Sequence, residues 1–254
     1  NDGFFSIFFQ VLGLADVCVA RRYNLVLDFH NGPYVRPDKG TNWWAYYFEP
    51  TRFLLGPENA NAVRVSNLRA QYRFSDYGRS LPPAYAHALM RTMGLTVKAD
   101  ILSKVSAFTE ARFRGKLVVG IHYRGTDKVC ADGKRTESAR VPYAYVAEYL
   151  QRHYPSSLFF VATDEASFLD YLNARLPGRI VYNNAIRSVN GNAVHHGAGD
   201  GAHDQAGEDA LMDCLLLSHC RVLVRTTSNL SLACHCFNPQ LESLDITGLY
   251  RKRP

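Results

Sequence analysis

No run in the 254-residue sequence approaches the roughly 18 consecutive apolar positions that a membrane span requires. Charge of one sign is not gathered either. The 29 Lys and Arg against 23 Asp and Glu leave a net charge of +6, spread over positions such as Arg21-Arg22, Lys116 and Arg251-Lys252-Arg253. A nucleic-acid footprint is a clustered basic stripe, so nucleic acid is not the favoured partner, and an anionic small substrate accounts equally well for a basic cleft. The C-x2-C spacing of structural zinc sites is absent, as is H-E-x-x-H, and no G-x-G-x-x-G follows a strand-like run. These absences count against a metal centre and against a dinucleotide-binding dehydrogenase. Internal repeats and low-complexity tracts are also missing. Nor does methionine open the chain. Asn1-Asp2-Gly3 reads as the end of a loop running into a helix, and a first strand, with any signal or anchor, is expected ahead of it.

What is present is an unbiased, well-mixed composition. Apolar residues make up 47%, aromatics 12% and charged residues 20%, which argues against disorder and supplies a core for one large or two small domains. Six cysteines occur, four of them as Cys214, Cys220, Cys234 and Cys236 with His219 and His235 beside them. They fall in apolar helical patterns, where a free cysteine packs as a small hydrophobe.

Residues 4–22 are apolar almost all round and read as a largely buried helix, followed by the β-rich run Tyr23–Phe29, read as a buried strand. A loop over 30–50 carries the aromatic cluster Trp43-Trp44-Ala45-Tyr46-Tyr47-Phe48, which either stacks on a sugar or buries itself. Residues 51–94 read as short helices broken at Pro82-Pro83. From Leu95 the pattern is regular: helix 98–116, strand 117–123, a polar loop, a helix after Pro142, strand 158–163, helix 165–175 and strand 179–182. A Gly/Asn/His loop over 183–207 precedes helix 208–219, strand 221–225, helix 228–237 and a last strand near 241–246. Apolar strands alternating with helices predict an α/β fold with parallel sheets covered by helices on both faces. Ligands of such sheets lie beyond the carboxyl ends of the strands. That is where His122, Arg124 and Asp127, Thr163 and Asp164, and Arg225, Thr226 and Ser228 fall.

A guanidinium at a strand end suits a diphosphate, so Arg124 can meet the charge of a departing nucleoside diphosphate, or else pair with Asp127 and order the turn. Thr163 or Asp164 reads as a helix N-cap, and the same position is open to a nucleotide. Asp213 stands among Leu211, Met212, Leu215, Leu216 and Leu217 and needs a donor, which a guanine edge, a local arginine or backbone can supply. Ser228 is either an N-cap or, with Thr226, part of an anion site at a helix N-terminus; Gly3 carries the same double reading. His195, His196, Asp200, His203 and Asp204 read as loop residues on the acceptor side.

Three segments in order resemble the motifs of the α1,6-fucosyltransferases, the bacterial nodulation enzymes among them. They are Gly120–Lys128 followed by Thr136-Glu137 and Pro142; Ala162-Thr-Asp-Glu165; and Asp213–Ser218 running through Val224 to Thr226 and Ser228. Gly3-Phe4-Phe5 and the helix leading to Tyr23–Phe29 resemble the opening of the broader group that includes protein O-fucosyltransferases. The resemblance implies two Rossmann-like lobes of the GT-B type, an acceptor-side lobe over 1–94 and a nucleotide-sugar lobe over 95–254. It implies a GDP-fucose donor, a glycan or protein-linked acceptor, inversion at the anomeric carbon, and neither metal nor cofactor. By motif position His122 and Arg124 contact the donor, Asp213 faces guanine, Thr226 and Ser228 line the phosphates or ribose, and Glu137 is the general base. Gly3 and Asp164 complete the expected donor-binding set. The sequence departs from the family at Gly125, where a second arginine is expected, which leaves one cation and an open donor sugar. A different nucleotide sugar, or a non-catalytic binding protein on the same scaffold, is the competing reading. The D-x-D pair of metal-dependent glycosyltransferases is absent.

Overall fold

Residues 3–51, 72–125, 140–188 and 203–252 are described in the computed structural model. The expected first helix is present as α1, Phe4–Arg21. Its apolar residues fall on nearly every side, so Phe4, Phe5, Phe8, Phe9, Val11 and Leu12 are all buried. Arg22 ends it in the left-handed region (φ 56°), where the Tyr23 N–H reaches back to the Cys18 carbonyl at 2.8 Å. The helix has membrane-crossing length and apolarity by composition, but most of it is packed inside the fold.

Tyr23–Phe29 departs from expectation. The run is extended, but no described strand pairs with it. Side chains take its backbone groups instead: Asn42 donates to the Leu27 carbonyl (2.9 Å) and accepts from the Phe29 N–H (3.0 Å). β-propensity selects an extended backbone, and only an available edge turns that backbone into a strand. The aromatic cluster turns inward. Trp43, Trp44, Tyr47 and Phe48 are buried, with Trp44 stacked on Phe48 at 4.4 Å and Phe4 set edge-on to Tyr47 at 5.0 Å. Burial is therefore what these rings do. Of residues 51–94, expected to form short helices, 52–71 lie outside the described residues.

Next come α2 (Tyr72–Ser80) and α3 (Pro83–Met93), broken apart at Pro82-Pro83 as expected, and α4 (Ala99–Arg112). Gly78 of α2 lies so close to the Phe9 carbonyl that a Cβ would overlap it, which is how α2 seats against α1. The regular part then alternates β1 (Val118–Tyr123), α5 (Tyr143–His153), β2 (Leu158–Thr163), α6 (Ala166–Arg175) and β3 (Ile180–Val181). It continues with α7 (His203–Ser218), β4 (Val222–Arg225), α8 (Asn229–Phe237), β5 (Glu242–Asp245) and a final turn of helix, α9 (Ile246–Arg251). Helix α7 starts earlier than its apolar pattern implied. Asp204, expected in a loop, is buried in its first turn and paired with Lys39 (2.5 Å) and Arg36 (3.4 Å).

The five strands form one sheet in the order β3-β2-β1-β4-β5, and every described pairing is parallel. One face is covered by α5, α6 and α9, whose Val146, Leu150, Phe168, Leu172 and Ile246 pack on Ile121, Phe159 and Val161. The other is covered by α4, α7 and α8, in a cluster that continues into α1, α3 and the aromatic turn. Gly120 permits this second layer to sit close, since a Cβ there would press on Leu217 and Cys220. The chain order reverses between β1 and β4. At such a switch point the crossovers leave on opposite faces, opening a crevice beyond the carboxyl ends.

Candidate functional site

Residues at that crevice are tied together by short contacts. The Arg124 N–H donates to the Thr226 hydroxyl at 2.8 Å, and the Thr226 N–H donates to the His122 carbonyl at 2.9 Å, which joins the ends of β1 and β4. From the end of β2, Asp164 reaches across. One of its oxygens accepts from the Gly125 N–H at 3.0 Å, and the other pairs with the Arg124 guanidinium at 3.0 Å. Asp164 does not cap α6, contrary to one reading of the sequence. The N-cap is Glu165, and the Thr163 hydroxyl accepts from the Glu165 N–H at 3.2 Å. The carboxylate is thereby left to orient the arginine.

Gly125 has a steric reason. A Cβ at this position would overlap the Glu165 carboxylate. That carboxylate is buried and held by the Tyr143 hydroxyl at 2.6 Å and by Arg140 at 3.3 Å. No side chain fits at 125 without displacing it, so the second arginine expected by resemblance is replaced by a close approach of two strand ends.

His122 is buried, and its Nδ1 has no partner. Burial drives its pKa down to about 4, with the Arg124 and Arg225 charges acting in the same direction and Asp164 opposing. It is therefore neutral near pH 7. Asp213 lies on α7, one turn before the Leu217 that covers Gly120, so it stands over the carboxyl half of β1. Burial raises its pKa to about 7 against the opposing charge of Arg187, and its Oδ1 is unpartnered. Around it lies the segment after β3: Ser188 donates to the Asp164 carbonyl at 2.8 Å, Ile186 donates to Asp209 at 3.1 Å, and Arg187 lies over the Tyr182 ring.

Ser228 is the N-cap of α8, in a reciprocal capping box with Ser231 (both bonds 3.2 Å). Gly3 precedes α1 in extended conformation, where a Cβ would meet nothing, and no described contact joins it to the cluster. The fold thus brings His122, Arg124, Asp164 and Thr226 into one bonded group, sets Ser228 just beyond it, and buries Asp213 apart from those bonds. Glu137 and Asp127 lie outside the described residues. Among the described residues no group of three or more His, Cys, Asp or Glu gathers at metal-binding distance. The buried thiols of Cys214, Cys220 and Cys236 have raised pKa values because of burial, as core residues do.

No family model matches the sequence, and no curated protein matches it by sequence. Solved structures do. A crystal structure of NodZ α1,6-fucosyltransferase with GDP superposes with a TM-score of 0.62 at 17% identity, covering 97% of this chain and 93% of that one. The fucosyltransferase NodZ from Bradyrhizobium gives 0.62 at 17% over 96% and 92%. A NodZ crystal soaked with GDP-fucose gives 0.60 at 15% over 96% and 92%. The chain shares its fold with NodZ. The α/β class read from strand–helix alternation and the likeness read from three motifs therefore agree with the structure, along nearly the whole of both chains.

Sequence reasoning had passed over several residues here. Asn183 and Arg187 lay in a stretch read as a Gly/Asn/His loop, Arg140 in the polar loop and Tyr143 at an ordinary helix start, while Glu165 was named only as a helix start and as part of the second motif. Arg225 was visible as a charge closing the apolar run Val222-Leu-Val224, but nothing in the run says which face it takes.

Proposed function

We propose that this protein is an inverting, metal-independent glycosyltransferase that moves fucose from GDP-fucose to a hydroxyl of a glycan or other acceptor. The observation that carries this reading is the bonded group of Arg124, Asp164, Gly125 and Thr226 at the switch point, in the fold of a protein co-crystallised with GDP and, in another crystal, soaked with GDP-fucose. In it Arg124 meets the charge that grows on the β-phosphate as the glycosidic bond breaks, and Asp164 fixes the guanidinium in place. Asp213 accepts from the guanine N–H edge, which would favour its ionised form. Ser228 and the first turn of α8 lie along the phosphates or ribose. Glu137 takes the proton of the acceptor hydroxyl, whose oxygen attacks the anomeric carbon while the bonding pair leaves with GDP. The two-lobe division at 94/95 belongs to the same reading.

Gly125 favours a second reading within the same class, a different nucleotide-activated sugar, because it stands directly after Arg124 where a second arginine is expected. Calorimetric titration with GDP, UDP, CDP, GDP-fucose and GDP-mannose, with and without EDTA, separates the two. Binding of GDP and GDP-fucose alone, unchanged by EDTA, is the expected result. Preference for UDP would end the fucose assignment, and no binding of any nucleotide would end the transferase assignment.

A further inference from the structure

Arg225 ends β4 directly before Thr226, and the sheet register sets it between His122 of β1 and Asp245 of β5. In-register neighbours of a parallel sheet share a face, here the one covered by α7 and α8. Its Nε and NH1 are shut off from water and bond nothing. Arg225 as a whole is half-buried, so the guanidinium reaches the crevice while two of its nitrogens sit shielded and unpaired, an arrangement that costs free energy and that an external anion would satisfy.

The neighbouring charges do not supply that anion. The Asp245 carboxylate turns away to cap α9, accepting from the Thr247 and Gly248 N–H groups at 3.0 and 3.2 Å and from the Thr227 hydroxyl at 3.4 Å. The charge of Arg225 acts on His122 and His235, and burial together with that charge keeps both below their ordinary pKa, hence neutral. Arg124, by contrast, already faces Asp164 at 3.0 Å. The pair is close to neutral, and Gly125 cannot carry a further cation because Glu165 fills its space.

We propose that Arg225 is the second cation of the donor site and bonds the diphosphate of a nucleoside diphosphate alongside Arg124. The proposal rests on the donor reading above and names the residue that balances its charge. A guanidinium offers the paired N–H donors that phosphate oxygens take in bidentate fashion. The unpartnered Nδ1 of buried His122 lies beside it in register, and the first-turn N–H groups of α8 follow three residues on.

The test compares wild type, Arg225→Met and Arg225→Lys by calorimetry against GDP, UDP, inorganic pyrophosphate and guanosine, with thermal unfolding of each protein alone. Arg225→Met is expected to weaken GDP roughly ten- to a hundredfold, the range for a hydrogen bond to a charged group, and to leave guanosine unchanged. Arg225→Lys should fall between. Without ligand, Arg225→Met should unfold at the same or a higher temperature, because it removes two shielded, unpaired N–H donors of a half-buried charge. Unchanged GDP binding, or an unliganded Arg225→Met protein less stable than wild type, would overturn the proposal and leave the donor reading standing. Wild-type binding of UDP or pyrophosphate in place of GDP, lost in Arg225→Met, would remove the fucose donor and keep Arg225. If none of the four binds the wild type, both fall.

Discussion

Arg124, His122 and Asp213 differ in what the surrounding protein does to their charge. Arg124 is paired with Asp164 at the crevice, and Arg124→Ala should lower transfer by roughly a hundred- to a thousandfold, the cost of losing one transition-state electrostatic contact. Circular dichroism and thermal unfolding should show the fold intact; a variant with full activity would take Arg124 out of the mechanism. Asp213 and His122 bear on stability in opposite senses. The folded pKa of Asp213, about 7, lies above its unfolded value, so its contribution is complete at low pH and is lost as pH rises through 7. The folded pKa of His122, about 4, lies below its unfolded value, so its contribution is complete above about pH 6.5 and is lost as pH falls toward 4. Asp213→Asn should therefore stabilise the unliganded protein near pH 8 by on the order of 1–3 kcal/mol, with the gain vanishing near pH 4. Urea titrations at several pH values check this, and a pH-independent difference would refute it. Gly125→Ala should destabilise by about 1–3 kcal/mol through overlap with Glu165, and by much less in a Glu165→Ala background.

At the scale of elements, most of the fold was legible. Strand β2 matches its predicted bounds, β1, α6, β4 and α8 fall within a residue or two of theirs, and α5 starts after Pro142 as expected. Each is a continuous apolar or amphipathic run closed by polar punctuation, and local pattern decides such runs. The strand expected over 23–29 failed because pairing is not a local property. The early start of α7 escaped because its first turn, around Asp204, is polar and held by Arg36 and Lys39 from a distant segment. The helix termini make a checkable case: Ser228→Ala removes half of a capping box and should cost about 1 kcal/mol in unfolding free energy. A variant as stable as wild type would mean that the first turn of α8 is satisfied some other way.

Among the described residues two apolar layers sandwich the parallel sheet, and the layer containing α7 and α8 continues into α1 and the aromatic turn. A ligand bound at the crevice touches β1, β2 and β4 together, so its binding energy is coupled to unfolding of the sheet as a whole. GDP at about a hundred times its dissociation constant should add about 2.7 kcal/mol, which raises the unfolding temperature by roughly 5–10 °C for a chain of this size. The rise should be the same in EDTA. Differential scanning calorimetry measures it, and loss of the shift in EDTA would bring a metal ion into the site.

From its own order the sequence determined the alternation of helices and strands, the parallel sheet and the placing of His122, Arg124, Asp164 and Thr226 at strand ends. All of these follow from the apolar period and from where it breaks. Tertiary structure alone decided that Asp164 serves Arg124 instead of capping α6, that Gly125 makes room for Glu165, and that the Nε and NH1 of Arg225 are shielded without a partner. Those outcomes depend on which strands become neighbours and which face each side chain takes. Pairing across dozens of residues sets them, and no local pattern carries that information.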